Sequence, residues 1–213
     1  LIVLLDFHVL DRLERWQTRC GKQTRGWFDA LGELEALASL ASLHHDFPEW
    51  CFPELVDGDH PLQAKQLGHP LLAAPVCNYV AVGPRGRFLL VSGSNMSGKS
   101  TLMRSIGLSA ILGQAGGPVC AQALTLPPID IATSMRVHDS LEEGISFFMA
   151  ELKRLKQIVD QAAEYQLDGD RTMLFLLDEI LQGTNSRERQ NAVSRVVRKL
   201  FDEESIGAIS THD

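Results

Sequence analysis

The sequence predicts an α/β fold, a mostly parallel sheet flanked by helices and preceded by an N-terminal helical segment. Three observations carry this. Phe88-Leu89-Leu90-Val91 runs directly into Gly93-Ser94-Asn95-Met96-Ser97-Gly98-Lys99-Ser100-Thr101, so an apolar strand gives way to a glycine-bounded loop and then a helix. Met173-Leu174-Phe175-Leu176-Leu177 is apolar at every position, the signature of a strand buried on both faces. From residue 78 onward such short apolar runs alternate with helical stripes, which is the pattern of βα units.

The first 45 residues read as two helices. Ile2, Leu5, Val9, Leu13 and Trp16 recur three to four apart. After a break at Gly21, a second stripe (Phe28, Leu31, Leu34, Leu37, Leu40, Leu43) lies in a run rich in Leu, Ala and Glu, all good helix formers. Pro48, Pro53, Pro61 and Pro70 punctuate the next stretch, which reads as an irregular connector over 46–77. In the third region, 78–213, strands are expected at Tyr79–Val82 and Phe88–Val91 around a Gly83–Gly86 turn. A helix over 99–113 follows, closed by Gly113, Gly116 and Gly117. Val119–Ala121 and Ile129–Met135 read as strands, and Phe148, Leu152, Leu155, Val159 and Ala162 mark one face of a helix over 146–165. The apolar strand 173–177, a helix carrying Val193, Val196, Val197 and Leu200, and a last strand Ile206–Ser210 complete the alternation.

Composition narrows the chemistry. The 213 residues carry 20 Lys and Arg against 27 Asp and Glu, a formal net charge of −7. Tight binding to nucleic acid needs a cationic surplus, so this chain by itself is expected to bind DNA weakly or not at all. Arg12, Arg15 and Arg19 share one helical face, with Lys22 and Arg25 following, and read as a solvated face. Cys20, Cys51, Cys77 and Cys120 are scattered without C-x-x-C spacing, which argues against zinc or a disulfide framework and suits a reducing cytoplasm. The chain starts at Leu1 within an apolar run and stops at Asp213 just after a strand, so a fragment of a larger protein is expected. The run Leu1–Leu5 is too short to span a membrane, although a tether through a preceding segment is compatible with it.

The loop at 93–101 has G-x-x-x-x-G-K-[ST] spacing. Its glycines allow a tight turn with backbone N–H groups aimed inward at phosphate oxygens. Lys99 supplies a positive charge for the terminal phosphates, Ser100 a hydroxyl for magnesium, and the helix start its dipole. Asp178-Glu179 closes the apolar strand at its carboxyl end, where ligands of α/β sheets gather. The first carboxylate suits Mg2+ and the second suits activation of an attacking water. A small-metabolite kinase must exclude water and has no use for Glu179. Thr211-His212 follows the last strand and can reach the same crevice edge, where His212 can report on the γ-phosphate.

With these residues in this order, 90–213 resembles the ATPase domain of MutS-type DNA mismatch-repair proteins, a branch of the ABC-type P-loop ATPases. Four segments carry the resemblance: Ser94–Arg104, Asp139–Glu151, Asp178–Asn185 and Ser210–His212. Gly32–Leu37 and Gly68-His69-Pro70 extend it upstream more weakly. The resemblance implies an ATP-binding, Mg2+-dependent ATPase and dimerisation domain, coupling nucleotide state to DNA handling by regions outside this chain. It implies phosphate and magnesium contacts for Gly93, Ser94, Asn95, Met96, Ser97, Gly98, Lys99, Ser100 and Thr101, with Gln122 near the γ-phosphate. Asp178 would hold Mg2+, Glu179 would be the general base, and His212 would sense the γ-phosphate. Ser146 would act in trans on ATP held by the second subunit of a homodimer, from a helix N-terminus that favours anions.

The chain departs from the family pattern at several places, which suggests a divergent branch. Ile145 and Phe147 flank the signature serine where an arginine and a threonine are usual, and Ser140 replaces the second of two paired acidic residues. Leu181-Gln182 precedes Gly183-Thr184 where an arginine is usual. Pro75 stands where an adenine-stacking aromatic is expected, with Tyr79 a substitute. Alternative readings are an ABC-type nucleotide-binding subunit, which would need a Leu-Ser-Gly-Gly-Gln-type signature in place of Glu143-Gly144-Ile145-Ser146, and a membrane-tethered nucleotide-dependent scaffold without a repair role.

Overall fold

A computed structural model of the chain describes residues 4–135, 147–168, 171–181 and 186–211. Two compact units divide it, Leu1–Phe47 and Pro48–Asp213. The first holds helices α1 (Leu5–Cys20) and α2 (Thr24–Asp46), as the two apolar stripes predict. Neither helix has a buried residue, and Arg15 pairs with Asp11 one turn away at 3.0 Å. Exposed pairs of that kind contribute little, so the arginine face is a solvated one.

The second unit is a layered α/β structure. Its parallel sheet comprises β4 (Phe88–Ser92), β6 (Ile129–Ser134), β7 (Thr172–Asp178) and β8 (Ile206–Thr211), in the order β4-β8-β7-β6. Helix α3 (Lys99–Gln114) packs on one face; α4 (Phe147–Asp168) and α5 (Ser186–Asp202) pack on the other. The continuous apolar run of β7 follows from this sandwich. Leu174 and Leu176 face α3 beside Met103 and Ile106, while Met173, Phe175 and Leu177 face α4 and α5 beside Leu155, Ile158 and Leu200. Gly207 lies opposite Phe175 in the β7–β8 ladder, where a Cβ would strike both the Phe175 ring and its carbonyl oxygen. Only glycine lets these strands approach.

A second, mixed sheet covers the outer side of α3, with the order β1-β5-β2-β3. Its strands are β1 (Glu54–Leu55), β2 (Leu62–Leu67), β3 (Asn78–Val82) and β5 (Ala123–Leu126). The strand expected at 79–82 is present as β3 and pairs antiparallel with β2. Two local expectations change here. A six-residue strand, β2, lies within the stretch whose prolines read as irregular; its inward residues Leu62, Ala64 and Leu67 are buried against Val80, Val82 and Leu126. Val119–Ala121 makes only an isolated bridge to Cys51, and the strand begins at Ala123, because Gly116, Gly117 and Pro118 delay entry into the sheet.

Candidate active site

The carboxyl ends of β4, β7 and β8 lie side by side, since Ser92 pairs with Thr211 and Asp178 with Ser210. Everything that follows is anchored there. Beyond β4 the chain turns through Gly93–Gly98 into α3. Gly98 adopts φ 90°, a left-handed conformation that side chains resist, and immediately precedes the first helical residue. No side-chain hydrogen bond caps this helix end, and the positive end of its dipole suits an anion. Met96 is also left-handed, φ 63°, and its side chain projects fully into solvent at the loop tip.

Lys99 begins α3 yet is almost wholly buried. Its ammonium donates to the carbonyl oxygens of Gly93 at 2.8 Å and Ser94 at 3.0 Å, and so folds back over the loop. The same Nζ lies 3.5 Å from Glu179 Oε1. A residue of the loop and a residue some 80 positions later are thus brought into an ion pair across the strand ends. The ammonium is buried and flanked by loop carbonyls while the Glu179 carboxylate is half-buried, so the pair is less screened than a fully exposed bridge would be.

Asp178 is the last residue of β7, and Glu179 follows in a left-handed conformation, φ 51°. Ser210 joins them. Its hydroxyl donates to Asp178 Oδ1 at 2.5 Å and accepts the Glu179 backbone N–H at 3.0 Å. Ser210 is buried, so both bonds are made out of water. Two residues later the chain is held again: the Leu181 N–H donates to Glu151 Oε1 on α4 at 2.7 Å.

The structure therefore brings together Gly93, Ser94, Gly98, Lys99, Asp178 and Glu179. Ser100 and Thr101 occupy the first turn of α3, both half-buried. Asn95 and Ser97 lie within the loop, the Ser97 N–H donating to the Ser94 carbonyl at 3.3 Å. Gln122 immediately precedes β5, beside the other sheet: its side chain is exposed and its N–H donates to the Lys65 carbonyl of β2. Tyr79 is exposed on β3. Ser146 and His212 lie outside the described residues.

Two participants carry no role assigned from the sequence. Ser210 is one, and a serine ending a strand beside a histidine gives little signal by itself. Glu151 is the other, and its signal was present. It shares the stripe of Leu155, Ile158 and Ala162, so an acidic residue sits on an apolar helix face. Burial pushes the Glu151 carboxyl above the usual carboxylate range, partly offset by the bond from Leu181.

The donor set suits phosphate and a hard cation. An uncapped helix N-terminus and a buried ammonium favour phosphate, while the Asp178 carboxylate and Ser100 hydroxyl are oxygen ligands of the kind Mg2+ takes. No helix among the described residues is long and apolar enough to cross a membrane. Comparison with protein families matches residues 89–213 to the model of MutS domain V.

Proposed function

The chain belongs to the MutS-type family, and from that premise we propose that residues 48–213 form a Mg2+-dependent ATPase unit. Its nucleotide state is coupled to dimerisation and, through regions outside this chain, to DNA handling. The observation that supports this most is the convergence of Lys99 and Glu179, with Asp178 tied to the same place through Ser210. A phosphate-binding lysine and a carboxylate beside it are what hydrolysis of a terminal phosphate requires.

Mg2+ bound with ATP supplies charge neutralisation for phosphoryl transfer, a reaction governed by positioning and electrostatics. The residues of the chain divide the remaining work. The amides from Gly93 to Lys99 receive the phosphates, and the Lys99 ammonium offsets their charge. Ser100 and Asp178 offer oxygen ligands for the cation. Glu179 accepts the proton of the attacking water. Gln122, His212 and, from the partner subunit of a homodimer, Ser146 keep the γ-phosphate roles that the family resemblance implies. A site shared between two chains would make ATP binding and dimer closure a single event. The DNA partner rests on family membership, and the net charge of −7 argues for weak or no DNA binding by this chain alone.

The test compares ATP turnover and oligomeric state of the wild-type chain and Glu179→Gln. Wild type is expected to hydrolyse ATP slowly and only with Mg2+. The variant should lose turnover by about 10²-fold or more and accumulate as an ATP-bound dimer. Undiminished turnover in Glu179→Gln would overturn the general-base role.

A further inference from the structure

The turn after β7 is held in a conformation that its own residues oppose. Glu179 and Leu181 both carry side chains at left-handed φ, 51° and 60°, a conformation that L side chains resist. Something outside the turn must hold it. Leu181 is fully buried, and its N–H is taken by Glu151 Oε1 at 2.7 Å. Glu151 itself is 4% exposed, on the core-facing stripe of α4, and its Oε2 is buried with no hydrogen-bond partner among the described residues.

A half-satisfied buried carboxyl is a costly group at a position where Leu or Met would pack without penalty. Burial raises its pKa, the expected mark of that cost. The one observed return is the bond to Leu181, two residues from the carboxylate that meets Lys99. Ser210 holds the near end of the same turn through the Glu179 N–H. The turn is thus clamped at both ends, by β8 and by α4.

We propose that Glu151 is a positioning residue: by accepting the Leu181 N–H it locks the left-handed turn that directs Glu179 toward Lys99. The proposal rests on the reading of Glu179 as general base. Glu151 touches no reacting atom. It acts through the backbone and so governs turnover and not nucleotide affinity, because the phosphate-binding loop is built on β4 and α3.

Three variants of the full chain test this. Glu151→Gln keeps an acceptor at the same reach. Glu151→Met keeps length and apolar packing without an acceptor. Glu151→Asp keeps the charge but withdraws it by one methylene, and serves if the Met variant does not fold. Met and Asp should lower kcat for ATP by about ten-fold or more with KM within about two-fold, since a small misplacement of a catalytic group is costly. Gln should stay within about two-fold of wild type in both. Equal turnover in Met, Asp and wild type overturns the proposal, as does a Gln variant as slow as the other two. Glu179→Gln is measured alongside. If it hydrolyses ATP normally, the general-base reading fails, and hydrogen exchange at the Leu181 amide then decides the clamp. Protection in wild type that is lost in Met and Asp supports it; an unprotected wild-type amide overturns it.

Discussion

Lys99 Nζ lies 3.5 Å from Glu179 Oε1 while also bonded to the carbonyls of Gly93 and Ser94. One ammonium therefore links the loop that would hold phosphate to the carboxylate that would activate water. Lys99→Ala is expected to remove a charged hydrogen-bonding group worth about 1.5–3 kcal/mol, or about 10–100-fold in ATP affinity. Equilibrium titration with a fluorescent ATP analogue reads this directly, and unchanged affinity would remove Lys99 from the nucleotide site.

Ser210 serves two neighbours at once, so its loss should show in two measurements. Ser210→Ala leaves the Glu179 N–H without its hydroxyl acceptor in a largely buried setting, at a cost of about 1–3 kcal/mol. For a chain of this size each kcal/mol lowers Tm by about 2–4 °C. Asp178 also loses its donor. The Mg2+ concentration for half-maximal turnover should therefore shift, in a titration at saturating ATP.

Gly207→Ala tests the sheet itself. The new methyl would meet the ring and backbone carbonyl of Phe175 on the neighbouring strand, and backbone cannot yield as a side-chain tip can. Destabilisation of about 1–3 kcal/mol or more is expected in urea unfolding. A neutral result would mean that β7 and β8 are not in this register.

The raised pKa of Glu151 sets a sign for pH dependence. The folded state keeps this proton to higher pH than the unfolded chain does. Its contribution to stability is therefore present below the unfolded pKa and is lost as pH rises through the raised folded value. Glu151→Gln carries no such group. The stability of wild type relative to Glu151→Gln should fall as pH rises through and above the ordinary carboxylate range. A difference that stays flat or moves the other way across urea midpoints would contradict the burial of this carboxyl.

Much of the parallel sheet was legible because its signals are local. A fully apolar strand closing on Asp178-Glu179, and a strand passing through Gly93 and Gly98 into Lys99, are written in consecutive residues. The helices follow from stripes of period 3.6. The mixed sheet was less legible. Prolines obscured β2, and so no local signal named it as the partner of β3. Within the candidate site, the placing of the loop and of Asp178-Glu179 at neighbouring strand ends was readable, while Ser210 and Glu151 were not assigned roles.

The sequence by itself determined the α/β class, which residue types stand at the strand ends and the family to which they point. Tertiary structure alone decided which strands share a sheet and that Lys99 meets Glu179. It also decided that a serine from β8 and a glutamate from α4 clamp the turn between Asp178 and Leu181. The physical reason is one of range. Periodicity and turn chemistry act within a few residues, whereas pairing between strands and single buried hydrogen bonds joins positions about 30 to 80 apart, and is chosen by burial of the whole core.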